Sequence, residues 1–161
     1  MRLVSCVAAM WFLLPLSPMA QEVTGANAPR FDRARFGALE FLVGRWQGTG
    51  SGGLSSAGAF FEEYSWLDDS TIVQRTFANA SFTTPTDSAR LSWRGGVVAW
   101  LQSGGNPLHA LELSESRAVF GQQSGAPVTL QRESADQWRV LIPSGPGGQP
   151  SSYTLRRVPR P

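Results

Sequence analysis

From Gly44 to Val158 apolar and polar residues alternate with a period near two, in short runs separated by clusters of Gly, Pro, Asn, Asp and Ser. Period-two alternation marks strands with one buried face, and the separating residues are those that favour tight turns. The runs are Gly44–Ser51, Ala57–Trp66, Thr71–Asn79, Ser88–Arg94, Val97–Gln102, Leu108–Leu113, Arg117–Gln122, Pro127–Glu133, Gln137–Ile142 and Ser152–Val158. Short strands joined by short connections predict an all-β fold, an antiparallel up-and-down barrel of about ten strands. The clearest hairpin is Arg94-Gly95-Gly96-Val97, where two glycines accept positive φ. No internal repeat interrupts the pattern.

Alternation also assigns faces. Ala89, Leu91 and Trp93 oppose Arg90, Ser92 and Arg94, and Trp138, Val140 and Ile142 oppose Arg139. Phe60, Glu62, Tyr64 and Trp66 share one face, and Tyr153, Leu155 and Arg157 share another. Ahead of the strands, Phe31, Arg35, Leu39 and Leu42 recur near helical spacing, with Asp32 placed to cap a short helix. Such a helix would lie across one end of the barrel and close it.

The stretch Gly44-Arg45-Trp46-Gln47-Gly48-Thr49-Gly50 carries one large aromatic among same-face positions that have no side chain. Glycine inside a strand marks a sharp bend or a close approach by another segment. Curvature around a buried indole is what the first strand of a small closed barrel requires.

Composition bounds the function. Leu3 to Leu16 is almost wholly apolar, follows Arg2, and ends in Pro15-Leu16-Ser17-Pro18-Met19-Ala20. This reads as a signal peptide over residues 1–20 with cleavage after Ala20, and it predicts a periplasmic or secreted protein. The run falls short of the ~20 apolar residues of a bilayer-spanning helix, so no integral membrane span is expected. Residues 21–36 read as an exposed N-terminal segment, and 37–159 as the barrel domain. Cleavage would remove the single Cys and all three Met, leaving the domain to be held by its core without disulfides. Loss of Arg2 lowers the formal net charge from +2 to +1, and Lys is absent. Nothing in that charge pattern fits a nucleic-acid surface.

Phe41-Leu42-x-Gly44-x-Trp46-x-Gly48-x-Gly50, followed by Glu62-Glu63-Tyr64-Ser65-Trp66, resembles the opening of the calycin (lipocalin-like) barrels. The nearest resemblance is to bacterial secreted families that share a Gly-x-Trp-x-Gly opening with the haem protein nitrobindin. Arg117-Ala118-Val119-Phe120 and Tyr153-x-Leu155-Arg156-Arg157 also suit those families. The resemblance implies that Gly44, Trp46 and Gly48 are structural, and that Arg156 or Arg157 stacks on Trp46 to close one barrel end. The C-terminal His that holds haem in nitrobindin-like proteins has no counterpart here, nor has the His-Asp-Phe-Pro stretch of the bacterial families. No cofactor is therefore expected.

His109 is the only histidine, which excludes a multi-histidine metal site. It is expected to be a surface or satisfied residue, or a lone acid–base group if it points inward. Glu62 shares its face with aromatic residues, so an interior position would demand a partner, for which Arg75 and His109 are candidates. Tyr64, Trp66, Arg75, Trp93 and Glu62 are the residues expected around a cavity. These readings favour a barrel that binds or carries a small apolar or amphipathic ligand. The alternatives are a barrel enzyme using Glu62 or His109 for proton transfer, and a structural or interaction module of the cell envelope. The oligomeric state is open.

Overall fold

The computed structural model describes residues 27–51, 58–121, 126–143 and 150–159. The signal peptide and its cleavage site lie outside the described residues. Ten strands follow a short helix, α1 (Arg33–Gly37), and a 3₁₀ turn over Ala38–Leu42. They are β1 (Gly44–Ser51), β2 (Phe60–Asp68), β3 (Thr71–Phe77), β4 (Pro85–Arg94), β5 (Val97–Leu101), β6 (Leu108–Leu113), β7 (Arg117–Gly121), β8 (Val128–Arg132), β9 (Gln137–Ile142) and β10 (Ser151–Arg157). Each strand pairs antiparallel with its sequence neighbours, and β1 pairs with β10 to close the barrel.

The closed up-and-down barrel is thus the fold that the period-two pattern predicts. At the Arg94–Val97 hairpin Gly95 and Gly96 have φ of 56° and 89°. β4 starts three residues earlier than the alternation suggests. Pro85 pairs with Phe77 after a register shift, in the first strand position, where a missing N–H is tolerated. No helix among the described residues is long and apolar enough to cross a membrane.

Strand direction sorts the connections into two ends. β1 runs away from the helix, so the helix, the β4–β5 turn and the β8–β9 turn share the closed end. The starts of β2, β8 and β10 mark the opposite end, the mouth. Asp32 caps α1, its carboxylate accepting from the Arg35 amide at 2.7 Å. Phe36, Leu39 and Leu42 on this segment are fully buried and join the barrel core. The segment 21–36 is therefore not exposed throughout. Phe36 belongs to the plug, and the Phe31 amide donates to the Gly96 carbonyl at 2.8 Å.

Trp46 organises the closed end. Its indole is buried at 1% exposure and donates from Nε1 to the Leu42 carbonyl at 2.6 Å. The Trp138 ring meets it edge-on at 5.9 Å, and the Arg157 Cζ lies 4.2 Å from its centroid on β10. Of the two candidate arginines, Arg157 makes the stack. Arg156 pairs with Gln47 one residue away, so alternation turns it to solvent. The Arg157 guanidinium also donates to the Val43 and Ala135 carbonyls and pairs with Asp136 at 3.2 Å.

Gly44 and Gly48 make these contacts possible. Gly44 has φ 138°, and a Cβ there would collide with the Arg157 guanidinium. A Cβ on Gly48 would penetrate the Phe60 ring. The Arg157 stack and the Gly44 vacancy form one unit. Gly44→Ala is expected to cost about 2–4 kcal/mol, from backbone strain together with displacement of Arg157. In an Arg157→Ala background the same substitution should cost only the strain, roughly 1–2 kcal/mol. Chemical denaturation of the two single variants and the double variant measures the difference. Equal costs in both backgrounds would refute the coupling.

Candidate functional site

Inside the barrel, the inward positions of β2, β3 and β5 place a polar cluster in an apolar wall. Glu62, opposite Thr76 in the register, is 5% exposed. The Tyr64 hydroxyl donates to its Oε2 at 2.9 Å, and the Gln74 side chain supplies a second hydrogen bond. Trp100 Nε1 in turn donates to Gln74 Oε1 at 3.2 Å, which leaves the Gln74 amide nitrogen to face Glu62. Trp100 stacks edge-on with Phe120 at 5.6 Å. Tyr153 on β10 lies close enough to sense the Glu62 charge, and its ring packs edge-on against Phe60 at 5.2 Å.

The electrostatics follow from burial without a cation. Desolvation pushes the Glu62 carboxyl up from 4.5 to about 7, and the hydrogen bonds from Tyr64 and Gln74 hold it back only in part. Burial raises Tyr64, reinforced by the Glu62 charge, the neighbouring Tyr153 and the hydrogen bond to Glu62. The same two forces, burial first and then Glu62, raise Tyr153. At neutral pH the cluster therefore contains a carboxyl poised between its two forms. It can donate to a polar group, or accept from one, without a large change in free energy.

Above this cluster, toward the mouth, Phe60, Val128, Ile142 and Tyr153 pack on the core while remaining partly accessible. Toward the closed end the interior is filled by Trp46, Trp138, Leu155 and the plug. The arrangement is a buried polar cluster beneath apolar residues at the mouth.

The residues expected around a cavity divide between three places. Glu62 and Tyr64 are in the polar cluster. Trp66 and Trp93 face inward but serve the closed end. Trp66 meets Phe36 edge-on at 5.6 Å and donates to the Glu40 carboxylate, and Trp93 donates to the Phe31 carbonyl at 2.8 Å. With Tyr64, Trp66 also lines a crevice of ≈ 380 Å³ beside Val43 and Arg45. Arg75 is a correction. It sits opposite Glu63, not Glu62, and lies on the outer wall, where it bonds Ser65 Oγ at 3.2 Å. One residue of register separates the two faces of a strand.

His109 is also outside. It pairs with Ala99, whose neighbours Val98 and Trp100 fill the interior. The barrel wall thus separates His109 from Glu62, and the pairing of these two groups for proton transfer finds no support in the geometry. Three members of the polar cluster escaped the sequence reading. Gln74, Trp100 and Tyr153 each carried a signal, because each alternates in phase with apolar neighbours, Ile72, Val98 and Leu155.

No protein-family model matches the chain, and no curated protein matches it. Among solved structures it is similar to a redesigned beta barrel, at 14% identity and TM-score 0.41, covering 76% of this chain and 96% of that one. A de novo designed fluorescence-activating beta barrel gives 19% identity and TM-score 0.36, covering 75% and 97%. A mutant of the fluorescent protein UnaG gives 13% identity and TM-score 0.41, covering 76% and 99%. At these identities the similarity concerns barrel architecture alone.

The Glu62 environment sets a pH dependence of stability. In the unfolded chain the carboxyl titrates near 4.5, and in the barrel near 7. Below pH 4.5 it is neutral in both states, and burial carries no charge penalty. As pH rises toward and through 7 the folded state must bury a carboxylate, so stability falls and then levels off. The loss is on the order of 3 kcal/mol at 1.36 kcal/mol per unit. Thermal unfolding between pH 4.5 and 8.5 should show this decline in the native protein and a markedly flatter profile in Glu62→Gln. Parallel profiles would mean that Glu62 is solvated.

Proposed function

We propose that the protein is an exported, calycin-like barrel that binds a small apolar or amphipathic molecule through its mouth. The observation that carries this reading is the Glu62–Tyr64–Gln74 cluster. An ionisable carboxyl held without a cation at the bottom of an apolar wall destabilises the fold at neutral pH. A residue that only filled space would serve the fold better as an apolar side chain. A ligand that reaches the cluster would place its polar group against Glu62 and Tyr64 and its apolar body against Phe60, Val128, Ile142 and Tyr153.

The relationship to the calycin barrels and to their bacterial secreted members belongs to the same proposal. It is supported by the Gly44–Trp46–Gly48 opening and by the Arg157 stack on the Trp46 indole. Export is supported by the apolar leader and its small residue at Ala20. Expression of the full chain with periplasmic fractionation should yield a mature mass that begins at Gln21.

Titration with N-phenyl-1-naphthylamine tests the binding. A saturable one-to-one rise in fluorescence is expected, with affinity reduced at least tenfold by Val128→Trp, which fills the mouth. Glu62→Gln should leave uptake of this apolar probe intact while changing the pH dependence of binding. No saturable binding by the native barrel, or full binding by the Val128→Trp variant, would overturn the reading.

A further inference from the structure

The outer wall carries a second feature that the interior reading does not use. Because Leu91 and Trp93 fill the barrel, β4 presents Arg90 and Arg94 on its outer face, with Ser92 between them only 8% exposed. Across β5 these residues sit opposite Leu101, Ala99 and Val97, and Ala99 sits opposite His109 on β6. Together with Leu67 they line a groove of ≈ 480 Å³. Leu67 is 60% exposed and Leu101 42%, both high values for leucine on a folded wall.

The charges in this groove are not balanced. Arg33, Arg45, Arg75, Arg117, Arg139 and Arg157 each pair with a carboxylate. Arg90 and Arg94 have no such partner among the described residues, and neither do Arg30, Arg35, Arg132 and Arg156, but only Arg90 and Arg94 line this groove. Asp68 also lines the groove, and the Ser70 hydroxyl and amide, both at 2.8 Å, hold its carboxyl below the usual range and keep it charged. Two guanidiniums against one carboxylate leave the groove with a net positive charge. The Arg90 and Arg94 Cα atoms are four strand positions apart, roughly 13 Å, a span across which two guanidiniums can converge over Ser92. An arginine pair that outnumbers the groove's one carboxylate, beside exposed leucines, is complementary to a molecule with an anionic head and an apolar body.

We propose that this groove is a binding site for a small amphipathic carboxylate. The head group lies between Arg90 and Arg94 over Ser92, and the apolar body runs across β5 along Ala99 and Leu101. The site is separate from the barrel interior and does not depend on the mouth.

His109 is the only imidazole in the chain, so its ring proton resonances report on the groove directly. Dodecanoate, titrated below its micelle concentration into tag-free protein, should shift these resonances saturably. Calorimetry should give a Kd that weakens by roughly tenfold for each of Arg90→Ala and Arg94→Ala. Both substitutions are exposed, and circular dichroism should show the barrel intact. Binding should survive Val128→Trp, which acts on the mouth. Three outcomes would overturn the proposal: no saturable shift of His109, equal affinity for dodecanol, or dodecanoate binding that is insensitive to the two arginines but lost on Val128→Trp. Because Val128→Trp and the arginine substitutions act on opposite sides of the wall, failure here leaves the interior reading to its own test.

Discussion

The constraint on which the structure depends is the closure of β1 against β10 around Trp46. A ten-strand meander has two free edges unless its first and last strands meet, and free edges invite pairing with other chains. The register Trp46 to Arg157 and Gly48 to Leu155 brings them together. Trp46 is then held from several sides, by the Leu42 carbonyl, the Trp138 edge and the Arg157 guanidinium. Each partner comes from a different part of the sequence, so the indole ties the plug, β9 and β10 to β1. The glycines follow from this. Gly44 leaves room for the guanidinium, and Gly48 leaves room for the Phe60 ring.

Much of this was legible because the barrel interior obeys a period of two. Once Leu91 and Trp93 are set inward, the position of Arg90, Ser92 and Arg94 follows with no further information. The same logic gave Asp32 as a cap and the paired glycines as a hairpin, since both are local decisions of the backbone. Alternation along β3 also carried the answer for Arg75, since it falls out of phase with Ile72 and Gln74. Arg75 was a candidate partner for Glu62 as a cation on another strand. The register sets it opposite Glu63, and it is on the outside. Gln74 occupies the place instead, an amide where a cation was expected. The choice between Arg156 and Arg157 had the same character, settled by one residue of phase.

The replacement of a cation by an amide and a phenol is what gives the interior its chemistry. An arginine beside Glu62 would keep the carboxylate charged at any ordinary pH and make the pair a structural bridge. Tyr64 and Gln74 satisfy the oxygens without neutralising them, so the carboxyl rises to about 7. Trp100 completes the arrangement by fixing the orientation of Gln74. The cluster is thus fully hydrogen-bonded and still ionisable, and that combination costs stability at neutral pH. A purely architectural demand would be met equally well by an apolar residue at position 62, as it is at the inward positions of Ile72 and Leu91.

The distribution of cations points the same way. The chain contains no Lys, so every fixed positive charge is a guanidinium, which can stack on an aromatic face as well as pair with an anion. Arg157 stacks on Trp46, and Arg45 lies 4.8 Å from the Phe82 centroid while bonding Glu63 at 2.8 Å. The latter contact fastens the connection between β3 and β4 to the outer wall, where Phe61, Phe77 and Phe82 form a small aromatic cluster. In that cluster Phe82 accepts φ 53°, a backbone conformation that an aromatic residue adopts only when its side chain is held. Arg90 and Arg94 make neither kind of contact among the described residues, and they are the two that line one groove. They flank a serine and lie beside exposed leucines, in a groove where Asp68 supplies the one carboxylate. The inner wall thus holds a carboxyl without a cation, and the outer wall over β4 holds a groove of net positive charge. The wall keeps the two from neutralising each other.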